Sequence, residues 1–246
     1  MEKEKIYTYY ENVNFKKQPE LIDVWKQSWE ASGFEPIVLG RDDAKKSPLY
    51  DDYYAFVQRV HKKATGAELP DNTYCIAAQL EIIAFTTVSQ PSFFSDYDVI
   101  CNGYEPFTPE DKVHWLNKAC SCFATGSKTG WYKYVDFLFE NEDLIVNYCK
   151  QVQQKNGRDQ FHDQDFLIPI FSKGIESDVF EGSRNLDIVG SDYKPGSENI
   201  CKALHISHKN AHEIKESHPR WSDVPVDDVR LFYAREVLNN LLKRKT

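Results

Sequence analysis

The sequence predicts an α/β fold with a mostly parallel central sheet flanked by helices. Two observations carry that expectation. Residues 5–10 (KIYTYY) are rich in β-branched and aromatic side chains, the composition of a strand. Leu21, Val24, Trp25 and Trp29 then recur at helical spacing, and a second strand follows at Glu35–Leu39 (EPIVL). A strand–helix–strand opening of this length belongs to a parallel α/β unit, because parallel neighbours need a crossover.

The remaining elements follow in chain order. Pro19 stands near the start of the first helix and Gly33 closes it. A second helix is expected around residues 53–60. A third, over 75–88, puts Ile76, Leu80, Ile83, Ala84 and Thr87 on one face, with Glu81 as its only charge, so it is mostly buried. The next strand, residues 93–100, carries Asp96 and Asp98 in its downstream half, where α/β sheets collect ligands. Residues 119–125 read as another strand, 131–152 as one long helix and 153–159 as a polar linker. Residues 166–171 are apolar again, and 173–199, rich in Gly, Ser and Asp, read as irregular. A strand is expected over 200–208. The final helix, 227–243, is read with Val229, Phe232, Val237, Leu238, Leu241 and Leu242 facing inward and a basic end suited to the helix dipole.

Composition removes several classes of function. The 246 residues suffice for one compact domain with a substantial core. Lys and Arg number 30 against 38 Asp and Glu, a formal net charge of -8. That balance argues against a nucleic-acid backbone or an anionic membrane surface as the main partner. It does allow a nucleotide, provided a cation bridges the phosphates. The cysteines, at 75, 101, 120, 122, 149 and 201, contain no C-x-x-C, so neither a zinc knuckle nor a thioredoxin-type motif is expected. Cys75 and Cys149 lie among apolar neighbours and read as buried free thiols. No apolar leader, no stretch of about 20 apolar residues and no N-x-[ST] sequon is found. A cytoplasmic location without a membrane span is the expectation.

Asp96-Tyr97-Asp98 is where the chain looks built for chemistry. In an extended backbone the two carboxylates project to the same side, roughly 6–7 Å apart. That separation suits a shared hard cation, and oxygen donors select Mg²⁺ or Mn²⁺.

Four segments in this order resemble the GT-A superfamily of nucleotide-sugar glycosyltransferases, most of all the small soluble DxD-bearing members of bacteria and large viruses. They are KIYTYYENV with the tryptophan helix and EPIVL, then FFSDYDVI, HDQDFL and LHISH. The resemblance spans roughly residues 5–210. It implies a single GT-A-like domain over 1–246 with a small additional antiparallel sheet. Residues 1–100 would form a nucleotide-binding half and 101–246 an acceptor-binding half. The implied reaction moves a hexose from a nucleoside-diphosphate sugar, most simply a uridine diphosphate sugar, to a glycan or other hydroxyl acceptor. The resemblance further implies Asp96, Asp98 and His205 as ligands of Mn²⁺ or Mg²⁺. Asp96 would also serve ribose and sugar hydroxyls, Lys209 a phosphate oxygen, and Tyr9, Tyr10 and Glu11 the uracil base. Asp165 or Asp163 would act as general base or orient hydroxyls near the reacting centre, with helix capping as the competing role for both. Trp115, Trp131 and Tyr132 are read as core residues rather than sugar platforms. The sequence departs from many relatives where they carry an Arg in the helix before the DxD and a Gly-Gly pair just ahead of it. Here stand Gln79 and Glu81, and Ser89-Gln90-Pro91-Ser92.

Two rival classes stay open. His205, His208 and His212 fall at i, i+3 and i+7, a helical spacing that would suit a zinc hydrolase or phosphoesterase, although ALHISH has strand character. A non-catalytic nucleotide- or carbohydrate-binding domain on the same fold is the third class.

Overall fold

The computed structural model describes residues 3–13, 19–117, 120–172, 180–182, 188–189 and 201–246. The first βαβ unit is β1 (Lys5–Tyr9), α1 (Pro19–Ala31) and β2 (Glu35–Leu39), with Gly33 at φ 94 turning the chain between helix and strand. Three helices follow: α2 (Arg41–Ala44), α3 (Tyr50–Thr65) and α4 (Tyr74–Phe85). The middle of the chain holds β3 (Ser92–Ser95), β4 (Val99–Cys101), β5 (Val113–Asn117) and β6 (Cys120–Gly126). Then come α5 (Lys128–Glu140), α6 (Glu142–Asn156), α7 (Asp163–Ser172), β7 (Phe180–Gly182), β8 (Ile188–Val189) and β9 (Ala203–His205). The chain finishes with α8 (His208–Ser217), a 3₁₀ turn at Pro219–Trp221 and α9 (Val226–Lys245).

A six-stranded sheet in the order β2-β1-β3-β6-β5-β7 forms the centre, and a three-stranded sheet, β4-β9-β8, lies beside it. The α/β expectation therefore holds, but the sheet is mixed rather than mostly parallel. β1 runs parallel to β2 and β3, as the crossover argument requires. Beyond β3 the ladders to β6 and from β6 to β5 are antiparallel, because β5 and β6 are close in sequence and pair as a hairpin; β7 then runs parallel to β5. The small sheet is also mixed: β4 pairs antiparallel with β9, and β8 parallel.

Side chains alternate across β3, so Phe93 enters one core cluster and Phe94 the other. The Phe94 side holds Tyr53 and Phe56 from α3, Ile83 and Phe85 from α4, and Trp131 from α5. The Phe93 side holds Trp25 and Trp29 from α1 and Val237 from α9. Trp115 and Trp131 are buried, packed edge-to-face at 5.4 Å, and belong to the core. Cys75 and Cys149 are buried free thiols, and burial pushes the Cys75 thiol up to about 12.

Several elements differ from the sequence expectation. The strand over 93–100 stops at Ser95: Val99 N–H donates to the Asp96 carbonyl at 3.0 Å, closing a turn that carries the chain from the large sheet into the small one. The helix over 131–152 is two helices. Asn141 leaves helical geometry (φ -107, ψ 21), and its side-chain amide donates to the Phe137 carbonyl at 2.9 Å. The strand over 200–208 covers only Ala203–His205 among the described residues; Ser207 then caps α8, its hydroxyl accepting the Asn210 N–H. In α9, Phe232 and Leu242 are exposed rather than inward. The buried stripe passes through Val229, Arg230, Tyr233, Ala234, Val237, Leu238 and Leu241, and at about 100° per residue Phe232 and Leu242 fall on the far side. Most of 173–199, read as irregular, lies outside the described residues, as does the Cys120 side chain. No helix of the described residues is long and apolar enough to cross a membrane.

Candidate active site

The chain leaves β1 through α1 to reach β2 on one side. It then returns through α2, α3 and α4 to reach β3 on the other side of β1. Such a reversal opens a crevice at the carboxyl ends of the two strands. A cavity of about 450 Å³ lies there. Tyr9, Tyr10 and Glu11 reach it from the end of β1, and Asp96, Tyr97 and Asp98 from the turn after β3. His162 and Asp163 reach it from the start of α7, and His205, Ser207 and Lys209 from β9 and the start of α8. Of the predicted site residues, Asp165 alone does not line it.

The Asp96–Val99 turn is clamped from behind by α1. Trp25 donates its indole N–H to Ser95 Oγ at 3.0 Å, just before the turn, and Trp29 donates to the Val99 carbonyl at 3.0 Å, just after it. The register of β4 on β9 sets Val99 opposite His205, and Ile206 N–H donates to the Asp98 carbonyl at 2.8 Å. Consequently His205 Nε2 lies 3.6 Å from Asp96 Oδ2 and 3.3 Å from Asp98 Oδ1. Ligand atoms of all three residues fall within 4.8 Å of one another. The donors converge through a turn, not through the extended strand expected.

Arg230 is the residue that the sequence reading missed here. It is 1% exposed, donates Nη2–H to Asp98 Oδ2 at 2.5 Å and Nε–H to the Ile206 carbonyl at 3.0 Å. Burial opposes its charge, but Asp98 and Tyr97 outweigh that and keep the guanidinium protonated. Arg230 thus ties α9 to the turn and to the end of β9, leaving Asp98 Oδ1 on the His205 side. Two carboxylates and an imidazole, one carboxylate oxygen already held by a cation, still make a group that could hold a metal ion. A lone arginine inside the apolar stripe of the last helix was the available signal. His208 and His212 pack edge-to-face at 4.9 Å on α8 but do not join His205 in a metal-competent group among the described residues.

At the opposite wall, Asp163 opens α7 and its neighbour His162 sits 3.5 Å from it, Nδ1 to Oδ1. Burial lowers the His162 imidazole, yet Asp163 and Asp165 raise it above its ordinary range on balance. Asp165 is turned away. It is buried, ion-paired with Arg158, and its Oδ2 accepts the His162 backbone N–H at 3.0 Å. That is the reach-back of a residue in the first helical turn to the cap position, the competing role weighed for it above.

Tyr9 is buried and donates its hydroxyl to Glu11 Oε2 at 2.9 Å, while Arg41 Nε pairs with Glu11 Oε1 at 2.7 Å. Tyr10 stands edge-on to Tyr97 at 5.5 Å. Glu81 of α4 also lines the cavity, and burial followed by the carboxylates of Asp96, Asp163 and Asp98 pushes its carboxyl group well above the usual range. Its signal in the sequence was a single charge in an otherwise uncharged helix.

The fold and cavity define a chain of the α/β class with a ligand crevice at a strand-order reversal. A family model described as "Domain of unknown function (DUF8765)" matches residues 1–64, the segment that supplies β1, α1 and β2. No curated protein matches the chain.

Proposed function

We propose that this chain is a metal-dependent glycosyltransferase of GT-A type that takes its sugar from a nucleoside diphosphate, uridine diphosphate being the first candidate. The observation supporting it is convergence. Four segments far apart in sequence, each singled out for its chemistry, line one cavity of about 450 Å³, a size ordinary for small-molecule sites.

Asp96, Asp98 and His205 would hold Mn²⁺ or Mg²⁺, which when bound offsets charge on the diphosphate leaving group. The amino end of α8, capped by Ser207, and Lys209 line the same cavity and favour phosphate oxygens. Tyr10 and Tyr97 offer aromatic surface for a base. The acceptor oxygen bonds to the anomeric carbon as the carbon–diphosphate bond breaks. Asp163, at the far wall with His162, takes the acceptor proton, or orients the acceptor hydroxyl while that proton passes to the departing diphosphate.

Calorimetric titration with uridine diphosphate tests the reading. Affinity should require Mn²⁺ and should disappear in Asp96→Asn. Nucleotide affinity indifferent to both the ion and the substitution would overturn it.

A further inference from the structure

A second cavity, of about 250 Å³, lies away from the crevice, where α9 passes the end of β4 and the 3₁₀ turn at Pro219–Trp221. No described residue lines both cavities. Tyr233, Glu236, Asn240 and Arg244 line the second from one stripe of α9, at i, i+3, i+7 and i+11. Asn102 lines it from just beyond β4, and His218 and Arg220 from the start of the 3₁₀ turn.

The charges in this cavity do not cancel. Among the described residues lining it, Glu236 alone is acidic, and its Oε2 is already paired with Arg220 Nη2 at 2.6 Å. The Arg220 guanidinium also lies over the Trp221 ring, 4.4 Å from its centre. Arg244 has no carboxylate partner among the described residues. It donates Nη2–H to Asn102 Oδ1 at 2.5 Å, and Asn102 is itself fixed by donating its amide to the Cys201 carbonyl at 2.8 Å. A neutral amide orients the guanidinium without offsetting its charge. His218, whose ring packs on Trp221 and Tyr233, adds an Nε2 that is buried and has no hydrogen-bond partner among the described residues. A buried nitrogen left unmet costs stability that a ligand oxygen would restore. In a chain of net charge -8, a cavity with surplus positive charge runs against the overall trend.

We infer that this cavity is a second binding site, which takes a small hydroxylated oxyanion: a phosphate or carboxylate head meets Arg244 and the His218 Nε2, and Asn240 and Glu236 serve hydroxyls beside it. A guanidinium matches either head with paired N–H donors. The volume admits one such unit rather than a nucleotide or an oligosaccharide, since sites for drug-sized ligands run from about 300 Å³ upward. The inference does not depend on the transferase reading, because the cavity shares no described residue with the crevice.

Calorimetric titration of the full chain tests it, with a chelator present so that no divalent ion bridges an anion in the crevice. Glucose 6-phosphate and glucuronate are the probes, and neutral glucose is the control. At least one anionic probe should saturate a single site and bind at least tenfold more tightly than glucose; the tighter of the two identifies the head as phosphate or carboxylate. Arg244 is exposed, so Arg244→Gln removes the charge without disturbing the core, and it should weaken that probe at least tenfold. His218→Phe, which keeps a ring against Trp221 and Tyr233, should weaken it at least threefold. Lys209→Gln, in the crevice, should leave it within twofold of the parent. Unchanged affinity in either cavity variant would overturn the site, as would glucose binding as tightly as the anions. A loss of affinity in Lys209→Gln would move the anion to the crevice and overturn it too. So would the absence of saturable binding by both anions.

Discussion

The chain contains two Asp-x-Asp segments at its cavity, 96–98 and 163–165, and each has a histidine and an arginine beside it. Their geometry is opposite. At 96–98 the backbone turns, and both carboxylates converge within reach of His205. At 163–165 the backbone is the first turn of α7, where residues two apart point about 200° away from each other. Asp163 therefore faces the cavity, while Asp165 faces Arg158 behind it. Identical spacing yields a pair of ligands in one place and one cavity residue plus one helix-end residue in the other. The backbone conformation, not the motif, decides which.

The largest expected effects separate these roles. Asp96→Asn should lower Mn²⁺-dependent uridine diphosphate affinity about 100-fold or more, the scale on which metal-site changes act. Asp163→Asn should leave that affinity near the parent value and reduce transfer by about 10²–10⁴-fold, the range of general acid–base catalysis. Isothermal titration and a coupled assay of diphosphate release measure the two quantities. Equal losses of nucleotide affinity in both variants would break the distinction.

The arginines provide the next contrast. Arg230 is 1% exposed and Asp98 is 7% exposed, so Arg230→Met strands a buried carboxylate and should cost about 3–5 kcal/mol in urea denaturation. The Arg158 side chain is 39% exposed while Asp165 is buried and keeps the His162 N–H as a donor, so Arg158→Met strands that carboxylate only in part and should cost less, about 1–3 kcal/mol. Comparable losses would mean that burial does not distinguish the two pairs. Asp98→Asn carries the same penalty through Arg230, which makes Asp96→Asn the cleaner probe of ion binding.

Periodicity explains which parts of this were legible in the sequence. The first strand, the tryptophan helix and EPIVL follow from local pattern, and the structure has them within a residue or so. The placement of Asp96 at a crevice followed from the strand-end pattern of α/β sheets, and that of Tyr9 from the resemblance. What stayed hidden depends on contacts between distant residues. Arg230 meets Asp98 across 132 positions, and no local pattern announces that pair. The split at Asn141 depends on one capping amide inside a continuous apolar period. The outward face of Phe232 was hidden because Arg230 and Tyr233, not the more apolar residues, set the phase of the buried stripe. Asp165 and Asp163 were not separable in the sequence, because both lie in one acidic segment ahead of the apolar run; only the fold shows Asp165 reaching back to the helix start.

The smallest expected effect concerns the histidines. His162 faces Asp163 and Asp165 from its own segment, with Arg158 and the Tyr74 ring also nearby. Its imidazole is raised above the ordinary value of 6.5 in the folded protein. The protonated ring therefore stabilises the fold in full below that value, and the contribution disappears as pH rises through the higher folded value. Relative to His162→Gln, the parent should gain stability at about pH 5.5 and lose the gain by about pH 8.5, where the imidazole is neutral in both states. Urea midpoints across that window measure it. An advantage that grows with pH would mean that burial outweighs the two carboxylates at His162, and that the 163–165 segment does not hold the charged imidazole beside Asp163.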